Sequence, residues 1–98
     1  MKLVYLPDAR KDVAWWRLYY RRVFPQGGQA AYRVLAATER ILQDNPLLGV
    51  ELAELGGLRK LSIPNTPFAF IYRLRQETIE VLRLYDMRQQ GSSGLQED

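Results

Sequence analysis

Six cations fall between Leu58 and Arg88, namely Arg59, Lys60, Arg73, Arg75, Arg83 and Arg88. Guanidinium groups bind phosphates and carboxylates through charge-assisted, bidentate hydrogen bonds. Such a set could hold a nucleic-acid backbone or an acidic protein segment. The same residues could instead be solvated cations paired with Glu77, Glu80 and Asp86, and on pattern alone that reading is ahead. The chain has no histidine and no cysteine. This removes the commonest general base, the usual zinc ligands, a thiolate nucleophile and any Ser-His-Asp arrangement. Covalent chemistry, if present, must run on Arg, Lys, Tyr or carboxylates. There is no Walker-type loop, dinucleotide fingerprint or paired-carboxylate site, so neither a cofactor nor a metal is expected.

A second pattern is aromatic. Trp15-Trp16 and Tyr19-Tyr20 could stack on nucleobases. Helical spacing argues otherwise, because Trp16 and Tyr20 lie four apart and read as core. Trp15 and Tyr19 form a neighbouring stripe at a helix edge. If exposed, they suit a protein interface better than a nucleic-acid platform.

The elements that must carry these residues follow from periodicity. Lys2-Leu3-Val4-Tyr5-Leu6, closed by Pro7, predicts a first strand. Pro7-Asp8-Ala9 starts a helix reaching about Val23, with Val13, Trp16, Tyr20 and Val23 as its buried stripe. Pro25-Gln26-Gly27-Gly28 breaks it, and a second helix runs from about Gln29 to Asp44. Ala30, Val34, Ala37 and Ile41 form its periodic face, flanked by Leu35 and Leu42. Asn45-Pro46 ends it. Leu47 to Gly57 reads as a connection with room for one helical turn. The period then becomes alternating, with strands over Leu58–Ile63, Phe68–Arg75 and Thr78–Tyr85. Their short connections require antiparallel pairing. The order β-α-α-β-β-β predicts an α+β fold, a helical hairpin packed on an antiparallel sheet.

Alternation assigns faces. Phe68, Phe70, Tyr72 and Leu74 line one side of the middle strand, and Arg73 joins Ala69 and Ile71 on the other. In the last strand Ile79, Val81, Arg83 and Tyr85 share a face, opposite Glu80, Leu82 and Leu84. Arg88 stands just past that strand, where its side chain can reach beyond the sheet edge.

The chain's 98 residues suit one domain, here residues 1–89, followed by a polar tail over 90–98 that has nothing to bury. Apolar residues make up 47% and charged residues 26%, which excludes a disordered chain. A net charge of +3 suits either simple solubility or an acidic partner. No membrane-spanning run or signal pattern is present, so a cytoplasmic location is expected.

Gly57-Leu58-Arg59-Lys60-Leu61, Ile63-Pro64, Thr66-Pro67-Phe68 and Ile71-Tyr72-Arg73 together resemble the RelE/ParE toxins. Ile79-Glu80-Val81-Leu82-Arg83-Leu84 with the step to Arg88, the opening Tyr5-Leu6-Pro7-Asp8-Ala9 and Asn45-Pro46-Leu47-Leu48-Gly49 fit as well. The resemblance spans Met1 to Gln89. It implies a type II toxin–antitoxin toxin, of the kind found in plasmid stabilisation, neutralised by a cognate antitoxin that wraps around it. Operator DNA is then met only through the antitoxin, and no membrane is involved. The fold it implies is the same β-α-α-β-β-β order.

The family divides by target. RelE-like members are ribosome-dependent mRNA endoribonucleases, and ParE-like members inhibit DNA gyrase. RelE-like sequences carry arginine after the aromatic that opens the strand, where this chain has Ala69. They also carry a tyrosine beyond the arginine that Arg88 matches, and Gln89 to Asp98 contain none. These departures favour the ParE side and gyrase, without catalytic residues. The ribonuclease alternative would use Arg59, Arg73 and Arg88 on phosphate, and a non-toxic antitoxin binder is the third reading. The expected target- or antitoxin-binding residues are Arg59, Lys60, Arg73, Arg83, Tyr85 and Arg88, with Trp15 and Leu18 beside an apolar groove.

Overall fold

The computed structural model describes residues 1–89; the tail expected over 90–98 lies outside them. Lys2–Tyr5 form β1. Pro7 then occupies the first helical turn of α1 (Pro7–Leu18), where its missing N–H costs nothing. The helix does not continue regularly to Val23. Tyr19–Val23 form a π-helical turn closed by Phe24 N donating to Tyr19 O at 3.1 Å. The widened turn changes the phase of the stripe: Trp16 and Tyr20 are buried as expected, but Val23 is 68% exposed. A short 3-10 turn, Pro25–Gly27, leads into α2 (Gly28–Asp44).

The face that α2 buries is one residue out of phase with the sequence expectation. Ala31, Thr38 and Leu42 are buried, whereas Ala30 is exposed and Ile41 is 50% exposed. Apolar residues at helical spacing occur on both stripes. The buried one is chosen by packing, and Thr38 satisfies its hydroxyl on Val34 O at 2.7 Å.

The connection after α2 contains no helical turn but a two-residue edge strand, β2 (Val50–Glu51). The remaining strands are β3 (Leu58–Ser62), β4 (Phe68–Arg75) and β5 (Thr78–Asp86). They form a five-stranded sheet in the order β1-β5-β4-β3-β2. All neighbours are antiparallel except β1, which pairs with β5 in parallel. The sheet is therefore mixed rather than wholly antiparallel, because the α1–α2 hairpin and three further strands separate β1 from its partner.

A β-bulge corrects the face assignment of β5. Ile71 pairs with Arg83 and Tyr72 with Val81, which leaves Leu82 without an opposite number. Beyond it the alternation is reset. Leu84 joins Ile79 and Val81 in the core, and Arg83 and Tyr85 fall with Glu80 on the other face. The core lies between the helices and one face of the sheet, around Trp16, Leu42, Ile63, Phe68, Phe70 and Tyr72. No helix among the described residues is long and apolar enough to cross a membrane.

Candidate functional site

Arg88 follows β5 in a 3-10 turn, Met87–Gln89, whose first N–H donates to Pro67 O at 2.8 Å. That bond ties the end of the chain's last strand to the β3–β4 turn. Arg88 Nε and Nη2 then donate to the two carboxylate oxygens of Asp86 at 3.0 and 2.9 Å. Its Nη1 donates to Tyr19 Oη at 2.9 Å. The guanidinium carbon lies 4.9 Å from the Tyr19 ring centre and 5.7 Å from that of Phe68, which places the cation over aromatic faces. Tyr19 comes from the end of α1, four residues after Trp15, and the start of β4 supplies Phe68.

Trp15 completes the cluster. It stacks on Tyr19 with centroids 5.6 Å apart and meets the edge of Phe68 at 6.1 Å. Trp15 is 46% exposed, so an apolar surface borders the cation; Leu18, on the same helix, is 40% exposed. The Asp86 side chain is 10% exposed and that of Arg88 47%. The Arg88 guanidinium holds the Asp86 carboxyl below the usual carboxylate range, and Asp86 raises the Arg88 pKa further. A guanidinium has five N–H donors, of which three are used here, so two remain for an incoming acceptor. An arginine locked in this way cannot exchange a proton near neutral pH. The free donors lie beside an apolar surface.

The other residues singled out by sequence do not converge on it. Arg59 lies on the helix-facing side of β3 opposite Tyr72 and donates to Leu47 O at 3.2 Å and Gly49 O at 2.8 Å. Tyr72 holds the same loop, accepting from Gly49 N and donating to Pro46 O, each at 2.8 Å. Arg59 is thus a loop latch. Lys60, Arg73 and Tyr85 lie on the helix-free face, where Lys60 is opposite Ile71 and Tyr85 is opposite Ala69. Arg73 Nε is engaged by Glu80 at 2.7 Å. Arg83 is held by Asp12 of α1. Arg73 and the Phe68 end of β4 are five residues apart, roughly 17 Å along a strand. Arg59, Arg73 and Arg88 therefore occupy different faces and ends of the sheet and form no single phosphate site.

Sequence reasoning named Arg88, Asp86 and the Trp15–Tyr19 stripe separately without joining them, and read Phe68 only as a residue of the strand's apolar side. The four-residue spacing of Trp15 and Tyr19 and the Asp86-x-Arg88 step were the available signals.

No protein-family model and no curated relative matches the sequence. The fold is similar to that of a chain in a solved structure, the chromosomal ParDE TA system from P. aeruginosa. The two share 24% identity at a TM-score of 0.68, over 88% of this chain and 95% of that one. The helical hairpin on a sheet expected from the RelE/ParE resemblance is in place, with the short β2 added to the expected β-α-α-β-β-β order, and this chain has the RelE/ParE-like fold.

Proposed function

We propose that this chain is the toxin of a type II toxin–antitoxin system, held inactive by a cognate antitoxin in the cytoplasm, and that it acts on DNA gyrase by binding rather than by cutting RNA. The toxin reading rests on the fold shared with a chain of a ParDE system. The preference for binding rests on the Arg88 group. It offers two unused N–H donors beside the aromatic cluster of Tyr19, Phe68 and the exposed Trp15, a combination suited to an acidic and apolar protein segment. The ribonuclease alternative needs several cations on one phosphate, and the arginines that would supply it are dispersed and engaged.

The test has two arms. Purified chain is added to gyrase supercoiling and cleavage assays, and separately to translating ribosomes with primer-extension mapping. Gyrase inhibition with intact mRNA is expected. Cuts at the ribosomal A site with gyrase unaffected would overturn the proposal in favour of a nuclease. Inertness in both assays and in expressing cells would overturn it in favour of a family member that only binds antitoxin.

A further inference from the structure

The helical hairpin carries its own charge pattern. Residues 7–44 hold seven Lys and Arg side chains against four carboxylates, a surplus of three. Every one of those cations is exposed. Two of the carboxylates are already engaged, Asp12 by Arg83 and Glu39 by the Tyr5 hydroxyl. Among the described residues the ion pairs involve only Arg73, Arg83 and Arg88, so the hairpin cations are unneutralised by ion pairing there.

Helical geometry sets five of these exposed cations on outward flanks of the two packed helices. At about 100° per residue, Arg10 and Arg17 lie on the same flank of α1, and Arg21 continues it into the π-turn. That flank is turned toward α2. The Trp16 ring is 5.1 Å from Tyr32, and the Arg17 charge acts on Tyr5 where it meets Glu39. On α2, Arg33 and Arg40 lie roughly opposite the buried row of Ala31, Thr38 and Leu42, and so point away from the sheet. Gln29, Ala36 and the exposed carboxylate of Asp44 lie near them on that side of α2, which leaves the arginines in excess. A cavity of about 210 Å³ in this half of the molecule is lined by Ala30 and Val34, on another flank of α2.

We propose that this face docks on the phosphate backbone of duplex nucleic acid without reading sequence. A peptide laid on a helical surface needs a row of apolar anchors in a groove; Arg33 and Arg40 have glutamine, alanine and Asp44 beside them, and the half-exposed Tyr32 is packed against Trp16. Backbone binding needs only cations that release counterions from a polyanion. The family resemblance routes operator DNA through the antitoxin alone; the hairpin face adds a direct contact of its own. It stands independently of the target met at Arg88.

The experiment follows a fluorescein-labelled duplex of about 20 base pairs and arbitrary sequence by anisotropy as the full chain is added, at about 50 and about 200 mM salt. Five phosphate contacts predict a roughly 500-fold fall in affinity between the two salt concentrations. The triple change Arg10→Gln, Arg17→Gln, Arg21→Gln is expected to weaken low-salt binding at least ~10-fold and to bring the salt slope near about −2. Arg33→Gln with Arg40→Gln tests the other helix in the same way, and Arg75→Gln on the sheet should change neither quantity. Melting curves confirm that each variant is folded. No duplex binding at low salt, unchanged affinity in both hairpin variants, or tighter binding of a labelled polyglutamate peptide than of the duplex would each overturn the proposal. None of these results bears on the gyrase assay, so the two proposals fail separately.

Discussion

Asp12 and Arg83, 71 residues apart in sequence, are joined by two hydrogen bonds from the guanidinium, at 2.7 and 3.1 Å. The same carboxylate accepts Leu84 N at 2.9 Å. β1 pairs with β5 only as far as Val81, and Leu6 N donates to Val81 O as the strand ends. Past that point the edge of β5 has no strand beside it. Asp12 supplies the missing acceptor, so a helix residue protects the exposed rim of the sheet.

Asp12→Ala should therefore cost about 2 kcal/mol, mainly through the stranded Leu84 N–H, because the Arg83 side chain is largely in solvent. The melting temperature should fall by about 10 °C. Asp12→Asn keeps one acceptor and should lie between the two. Amide exchange at Leu84, accelerated in Asp12→Ala alone, would locate the effect.

The loop after α2 depends on the Tyr72 hydroxyl, which bridges Pro46 O and Gly49 N in a buried setting. Burial raises the Tyr72 pKa, so the group remains a neutral donor. Tyr72→Phe leaves both backbone groups without their partner and should cost about 1–3 kcal/mol. Gly49→Ala should cost a similar amount, since a methyl there would stand 2.7 Å from Tyr72 Oη and 3.0 Å from Lys60 O. Urea unfolding of the two variants and their combination would show less than additive losses, because both act on one contact.

The β4–β5 turn is a stabilisation target. Arg75 pairs with Thr78, and the two residues between them, Gln76 and Glu77, have φ of 51° and 61°. Such a two-residue turn favours Asn-Gly. Gln76→Asn with Glu77→Gly should raise stability by about 1 kcal/mol after the entropy cost of glycine. An increase of about 5 °C in the melting temperature would register it.

Acid should loosen the Arg88 end of the molecule. The Asp86 carboxyl titrates lower in the folded chain than when unfolded, through its bonds to Arg88. Its contribution is complete above the ordinary carboxylate range, near about pH 4, and disappears as the pH falls through the folded value. Asp86→Asn should lower the denaturation midpoint at pH 7 and leave a shallower decline toward pH 2 than in the parent chain. An equally steep acid limb in both would count against the pair.

Arg88→Lys keeps the charge but not the fork that grips Asp86 and Tyr19 together. If the Arg88 group meets the target, this variant should lose at least ~10-fold in inhibition while its melting temperature stays within about 5 °C of the parent. Full activity with an intact fold would move the target surface elsewhere.

The strands were most legible where polarity alternates without ambiguity. Phe68–Arg75 lies between Pro67 and a tight turn, and its observed limits are those expected. The bulge at Leu82 was hidden because Val81, Leu82 and Leu84 put apolar residues on both parities. The phase of α2 was hidden for the same reason, and Val50-Glu51 is too short to show any period. At the candidate site, Arg88 and Trp15 were visible one at a time. Joining them requires the end of β5 to reach Tyr19 at the end of α1 and Phe68 to pack on Trp15 and Tyr19, which are tertiary facts.

The pairing of β1 with β5 also has a consequence for biosynthesis. The first of the described strands has the last of them as its neighbour, and β5 contributes Ile79, Val81 and Leu84 to the core. No nascent chain lacking β5 can close this sheet, whatever the helices do on their own. A chain interrupted before β5 lacks β1's partner strand and Arg88 alike.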